Sequence, residues 1–145
     1  MEIQRLKNDD YHIGIALLSS VKSKQRKIAL FCDTNNIIYI SSENKPKGIS
    51  SEQGIFVLEP EIYLFTNLKI FDVSGILYLT YTPLFESLII LANSLVKKIV
   101  YIETEVINNE VEQLCLSANI DLQKYDGNLH WIKDYIFLIQ QAEIF

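Results

Sequence analysis

After Asn8-Asp9-Asp10, apolar residues recur at helical spacing. Ile13, Ala16, Leu17 and Val21 share a face, which predicts a helix over about 9–23 with Asn and Asp side chains to cap it. Lys27–Cys32 and Ile37–Ser41 are short apolar runs separated by Asp33-Thr34-Asn35-Asn36, a composition that suits a tight turn, and together they predict a β-hairpin. Residues 42–56 carry Ser, Lys, Glu, Pro46, Gly48 and Gly54 without periodicity and read as a long loop. A short helix is predicted over Glu59–Leu68, with Pro60 in its first turn. A strand follows at Gly75–Tyr81, then a helix opened by Pro83 and ending near Ser94, then a strand at Lys98–Ile102. Asn108 or Asn109 caps a helix through Ala118, Ile120–Tyr125 is the last strand, and Asp126-Gly127-Asn128 turns into a final amphipathic helix around Trp131, Tyr135 and Leu138.

A hairpin followed by strands alternating with helices predicts one α/β domain over residues 1–145. Its architecture is a three-layer α-β-α sandwich on a mixed five-stranded sheet. Hydrophobic residues at 49% and charged residues at 21% place the chain among globular proteins. No apolar run approaches the roughly 20 residues of a membrane span, and Met1–Arg5 lacks the design of a signal peptide, so the expected compartment is the cytoplasm.

A net charge of −5 without a run of five Lys or Arg argues against nucleic acid as a partner. The one basic stretch, Lys22–Lys27, reads first as a solvated turn closing a helix, and second as a phosphate contact. Cys32, Cys115, His12 and His130 show no metal-type spacing, and both cysteines fall at predicted buried positions, as small core residues.

Two segments carry a resemblance. Tyr11–Ala16 through Ser23–Leu30 to Glu43-Asn44-Lys45-Pro46-Lys47-Gly48 resembles the opening of the deoxycytidylate deaminase family, including its Gly-Tyr-Asn-Gly-x-Pro-x-Gly loop. Leu77–Ser87 through Val96–Tyr101 resembles that family's zinc-binding strand and helix, where the family writes Thr-x-x-Pro-Cys-x-x-Cys. Thr80 and Pro83 match, but Leu84 and Ser87 stand at the two cysteine positions. The family's His-Ala-Glu falls near Phe56–Glu61, in one of two registers. In one, Val57 replaces the His and Glu59 is the retained Glu; in the other, Glu59 replaces the His and Glu61 is the retained Glu.

The family's chemistry needs zinc to activate a water, with the Glu moving protons. A Leu offers no lone pair and a Ser hydroxyl is a poor zinc ligand at neutral pH. The resemblance therefore implies a pseudoenzyme with no metal and no other cofactor, in which Val57, Glu59, Leu84 and Ser87 are vestigial. Its work would lie in self-assembly or in association with an active deaminase or another protein, the family's oligomeric habit making symmetric assembly the default.

A second reading keeps a pyrimidine-nucleotide pocket without catalysis. Asn44 resembles the family's nucleotide-contacting Asn, in a loop shortened by one residue that also reads as a solvated turn. A third reading is a residual deoxycytidylate deaminase-type hydrolase. Tyr63, Phe65, Tyr78, Tyr81 and Phe85 are expected to fill the former pocket. Trp131, Tyr135 and Leu138 read either as core packing or as an interface, because apolar residues nearly encircle that helix. Relatives are familiar in large phages, and for a phage protein the compartment is the host cytoplasm.

Overall fold

A computed structural model describes residues 8–24, 26–43, 59–67 and 71–127. The elements, in order, are α1 (Asn8–Ser23), β1 (Ile28–Asp33), β2 (Ile38–Ser42), α2 (Pro60–Asn67), β3 (Gly75–Leu79), α3 (Phe85–Leu91), β4 (Val96–Tyr101), α4 (Asn109–Ser117) and β5 (Asp121–Lys124). They form a mixed five-stranded sheet in the order β2-β1-β3-β4-β5. β1 is antiparallel to both β2 and β3, whereas β3, β4 and β5 run parallel.

Strand alternation divides the core between the two faces of the sheet. On one face Ile13 and Ala16 of α1 pack against Ile28, Leu30, Tyr78 and Val100. On the other, Leu64 and Phe65 of α2, Leu88 and Leu91 of α3, and Val111 and Cys115 of α4 cover Ala29, Phe31, Leu77, Leu79 and Ile99. β1 is buried along its whole length because helices cover both its faces and strands pair with both its edges. Gly75 is required by close approach: a Cβ there would strike the Cys32 carbonyl oxygen and come within 2.7 Å of Phe31 Cζ.

The hairpin turn follows the sequence. Asp33 Oδ1 accepts from the amides of Asn35 and Ile37 at 2.8 and 2.9 Å, and Asn36 takes a φ of 64°, a left-handed conformation that Asn tolerates. Asn108 caps α4 by accepting from the Glu110 amide.

The structure differs from the predicted elements in their bounds, among them α3 ending at Leu91, β3 at Leu79 and β4 starting at Val96, and in points that bear on the site. Asp9 and Asp10 lie inside α1 and tie it to the sheet: Tyr78 Oη donates to Asp9 Oδ1 at 2.9 Å, Lys98 pairs with Asp9 Oδ2 at 3.1 Å, and Tyr125 Oη donates to Asp10. Pro83 does not open α3, which starts at Phe85. Residues 82–84 are not helical: Leu84 is extended, and Thr82 Oγ1 accepts from the Thr104 and Glu105 amides at 2.9 and 3.1 Å and donates to the Glu105 carbonyl at 3.0 Å. Of the aromatics expected to fill one pocket, Phe65, Tyr81 and Phe85 belong to the cluster around α2 and α3. Tyr78 points to the opposite face, stacked on His12 with centroids 4.9 Å apart. Ser42, read as the start of the long loop, is the last residue of β2; residues 44–56 of that loop, including Asn44, as well as Val57, His130 and the final helix with Trp131, Tyr135 and Leu138 lie outside the described residues. No helix among the described residues is long and apolar enough to cross a membrane.

Candidate functional site

The start of α2, the start of α3 and the chain leaving β3 converge on one polar cluster. Glu59 immediately precedes α2, its carbonyl accepting the Tyr63 amide at 3.0 Å, so Pro60 takes the first helical position, where its missing N–H costs nothing. The Glu59 carboxylate turns towards Lys27, whose Nζ donates to both oxygens at 3.2 and 3.1 Å. Lys27 Nζ also stands 5.2 Å from the centroid of Tyr81, a cation–π contact. Of the basic stretch that read as a solvated turn, Lys27 is therefore half-buried and paired across 32 residues.

Glu61 lies two residues further on and is inaccessible to solvent. Burial pushes its carboxyl up from an ordinary 4.5 to about 7. Its own backbone amide and the Ser87 hydroxyl pull it down, Glu59 pushes it up, and Lys27 pulls it down by a smaller amount. Among the described residues neither carboxyl oxygen is in hydrogen-bonding geometry with a partner. Near neutral pH this group is poised to take up or release a proton, the property a general acid or base needs.

Ser87 is buried on α3, and Leu84 immediately precedes that helix in extended conformation with no capping hydrogen bond from its side chain. Thr80 hydrogen-bonds across the strands: its Oγ1 accepts the Ile28 amide and donates to the Arg26 carbonyl, both at 2.9 Å. Beyond Thr82, a cleft of about 340 Å³ opens at the carboxyl ends of β3 and β4, lined by Leu84, Glu86, Glu105 and Glu110 among others. Such strand ends are the usual ligand side of open α/β sheets.

The structure thus brings together Glu59, Glu61, Ser87 and Lys27. Sequence reasoning named the first three and missed the role of the fourth. The other candidate ligands are dispersed: Cys32 packs on the α1 face and Cys115 on the opposite one. Burial holds both thiols up, Cys115 to about 11. For zinc the local donors are a poor fit: Leu84 has none, Ser87 has a hydroxyl, and Glu59 is already held by an ammonium. Among the described residues no three His, Cys, Asp or Glu side chains are grouped so as to share a metal ion.

Comparison with solved structures gives the fold its place. The apo dCMP deaminase of the cyanophage S-TIM5 superposes with a TM-score of 0.64 at 17% identity, over 83% of this chain and 100% of that one. The same enzyme in complex with dCMP and dUMP gives 0.61 at 20% identity over the same shares. This is the cytidine deaminase-like fold. Guanine deaminase from Nitrosomonas europaea shares it with a TM-score of 0.56 at 10% identity, over 99% of this chain and 89% of that one. No protein-family model matches the sequence. No curated protein matches it either.

Proposed function

We propose that the chain is a deaminase-fold protein without zinc-dependent hydrolysis, acting through assembly with itself or with another protein. One observation carries this reading. In the register that makes Glu59 and Glu61 the remnants of His-Ala-Glu, both fall at the start of α2. The three ligand positions are then a carboxylate held by Lys27, a Leu and a Ser. Such a set cannot supply the tetrahedral N/S coordination that activates a water. Glu61 alone keeps the chemistry of the retained Glu, with no activated water to serve.

Association finds support in the apolar side chains that α3, its following turn and α4 present to solvent: Ile89, Ile90, Leu95 and Leu116. Trp131, Tyr135 and Leu138 are the further candidates for the contact. The test is elemental analysis of the purified, untagged chain, with turnover of dCMP and the mass in solution measured on the same sample. The expected result is substoichiometric zinc, no dUMP formed and a mass above the 16.8 kDa of one chain. Near-stoichiometric zinc with turnover would overturn it.

A second reading, a pyrimidine-nucleotide binder without catalysis, draws on the resemblance of Asn44 to the family's nucleotide-contacting Asn. It predicts saturable binding of dCMP by calorimetry, weakened by Asn44→Ala. Absence of heat at about millimolar ligand removes it.

A further inference from the structure

The cluster at the start of α2 holds two carboxyl groups, one hydroxyl and one ammonium. Oxygen donors of this kind are what hard divalent cations take. Here the neutralising charge comes from the chain itself. Lys27 Nζ bridges both oxygens of Glu59, and the pair is about one-third exposed on the Lys side and one-fifth on the Glu side. Its Nζ stands over the Tyr81 ring, which adds a second attraction. Behind the pair, the fully buried Glu61 has both oxygens unpartnered among the described residues, an independent sign that the cluster offers more acceptor capacity than its own donors use.

We infer that Lys27 is a tethered cation that holds the Glu59 carboxylate beside Glu61 and Ser87 and so closes this cluster to metal ions. An ammonium on a four-carbon stem supplies the positive charge without ever dissociating. A divalent ion approaching Glu59 meets that charge at contact distance and loses both carboxylate oxygens to it. The residue that local pattern leaves in a basic turn is the group that keeps metal ions out. Removal of its charge should turn the cluster into an oxygen-ligand cation site, with Glu59, Glu61 and Ser87 as donors.

The inference rests on the reading of the site as one without zinc. Zinc content of the unaltered chain tests that reading, whereas Mn2+ binding by Lys27 variants tests this one. The experiment is titration of the full chain with Mn2+ alone, following loss of the free-ion electron paramagnetic resonance signal. The unaltered chain and Lys27→Arg are expected to bind no Mn2+ at this cluster up to about 1 mM, while Lys27→Met gains one site at least about tenfold tighter. Adding Glu59→Gln to Lys27→Met should abolish the gain.

An unaltered chain that binds as well as Lys27→Met would overturn the inference, as would a folded Lys27→Met that gains nothing, or a double variant that keeps the gain. Should Lys27→Met fail to fold, restoration of the fold by Glu59→Gln supports the charge role, and failure of both variants to fold overturns it.

Discussion

Glutamine at position 61 isolates a single ionisation. Glu61 is inaccessible and its carboxyl is pushed from 4.5 to about 7 by burial. Between those two pH values the folded chain keeps a proton that the unfolded chain has released. The stabilisation linked to that proton is fully present below about 4.5, falls as the pH rises, and is gone above about 7. Each tenfold change in proton affinity corresponds to about 1.4 kcal/mol, so the folded state loses about 3 kcal/mol between pH 4 and pH 8 through this group. Glu61→Gln has nearly the same shape and no proton to lose. Its stability relative to the unaltered chain should therefore be flat below about pH 4.5 and rise by about 3 kcal/mol towards pH 8, on the order of 10 °C in melting temperature. Urea unfolding of both proteins at four pH values from about 4 to about 8 measures the difference, in which titrating groups that do not interact with Glu61 cancel. A difference that does not change with pH would refute the reasoning, since it would mean that the Glu61 carboxylate is solvated or fully paired in the folded chain.

Thr82→Val removes the oxygen that receives two amides and leaves the Thr104 and Glu105 N–H groups without it. It should cost about 2 kcal/mol and speed hydrogen exchange at those two amides while β4 keeps its protection. Cys32 and Cys115 are buried, unpaired and held in the thiol form, so a disulfide reagent should modify them at the rate of unfolding at pH 8 and at once in denaturant. Rapid modification of the native chain would contradict their packing.

Part of the site was legible in the sequence. Glu61, Leu64 and Phe65 follow the i, i+3, i+4 spacing of the buried stripe of α2, so a carboxyl on that stripe stands out as an anomaly from the spacing alone. Position 59 falls off the stripe, and spacing could not choose between the two registers of the His-Ala-Glu remnant. Lys27 carried no signal. Its partner is 32 residues away across a non-periodic stretch, and local pattern reports which face a residue occupies, not what faces it from another element. The same limit hid Asp9 and Asp10: a pair of acids at a helix start looks like a cap whether or not Tyr78, Lys98 and Tyr125 reach across to it.

The sequence by itself determined the type and order of the elements among the described residues. Apolar period, turn residues and caps act within a few positions of one another, and the hairpin, the α2 start at Pro60 and the Asn108 cap all obey them. Strand order, the choice of face for Tyr78, the non-helical run before α3 and the Lys27–Glu59 pair were decided only by tertiary structure. Each depends on contacts between segments distant in sequence, where burial of both sheet faces and satisfaction of loop amides outweigh the local preferences of the chain.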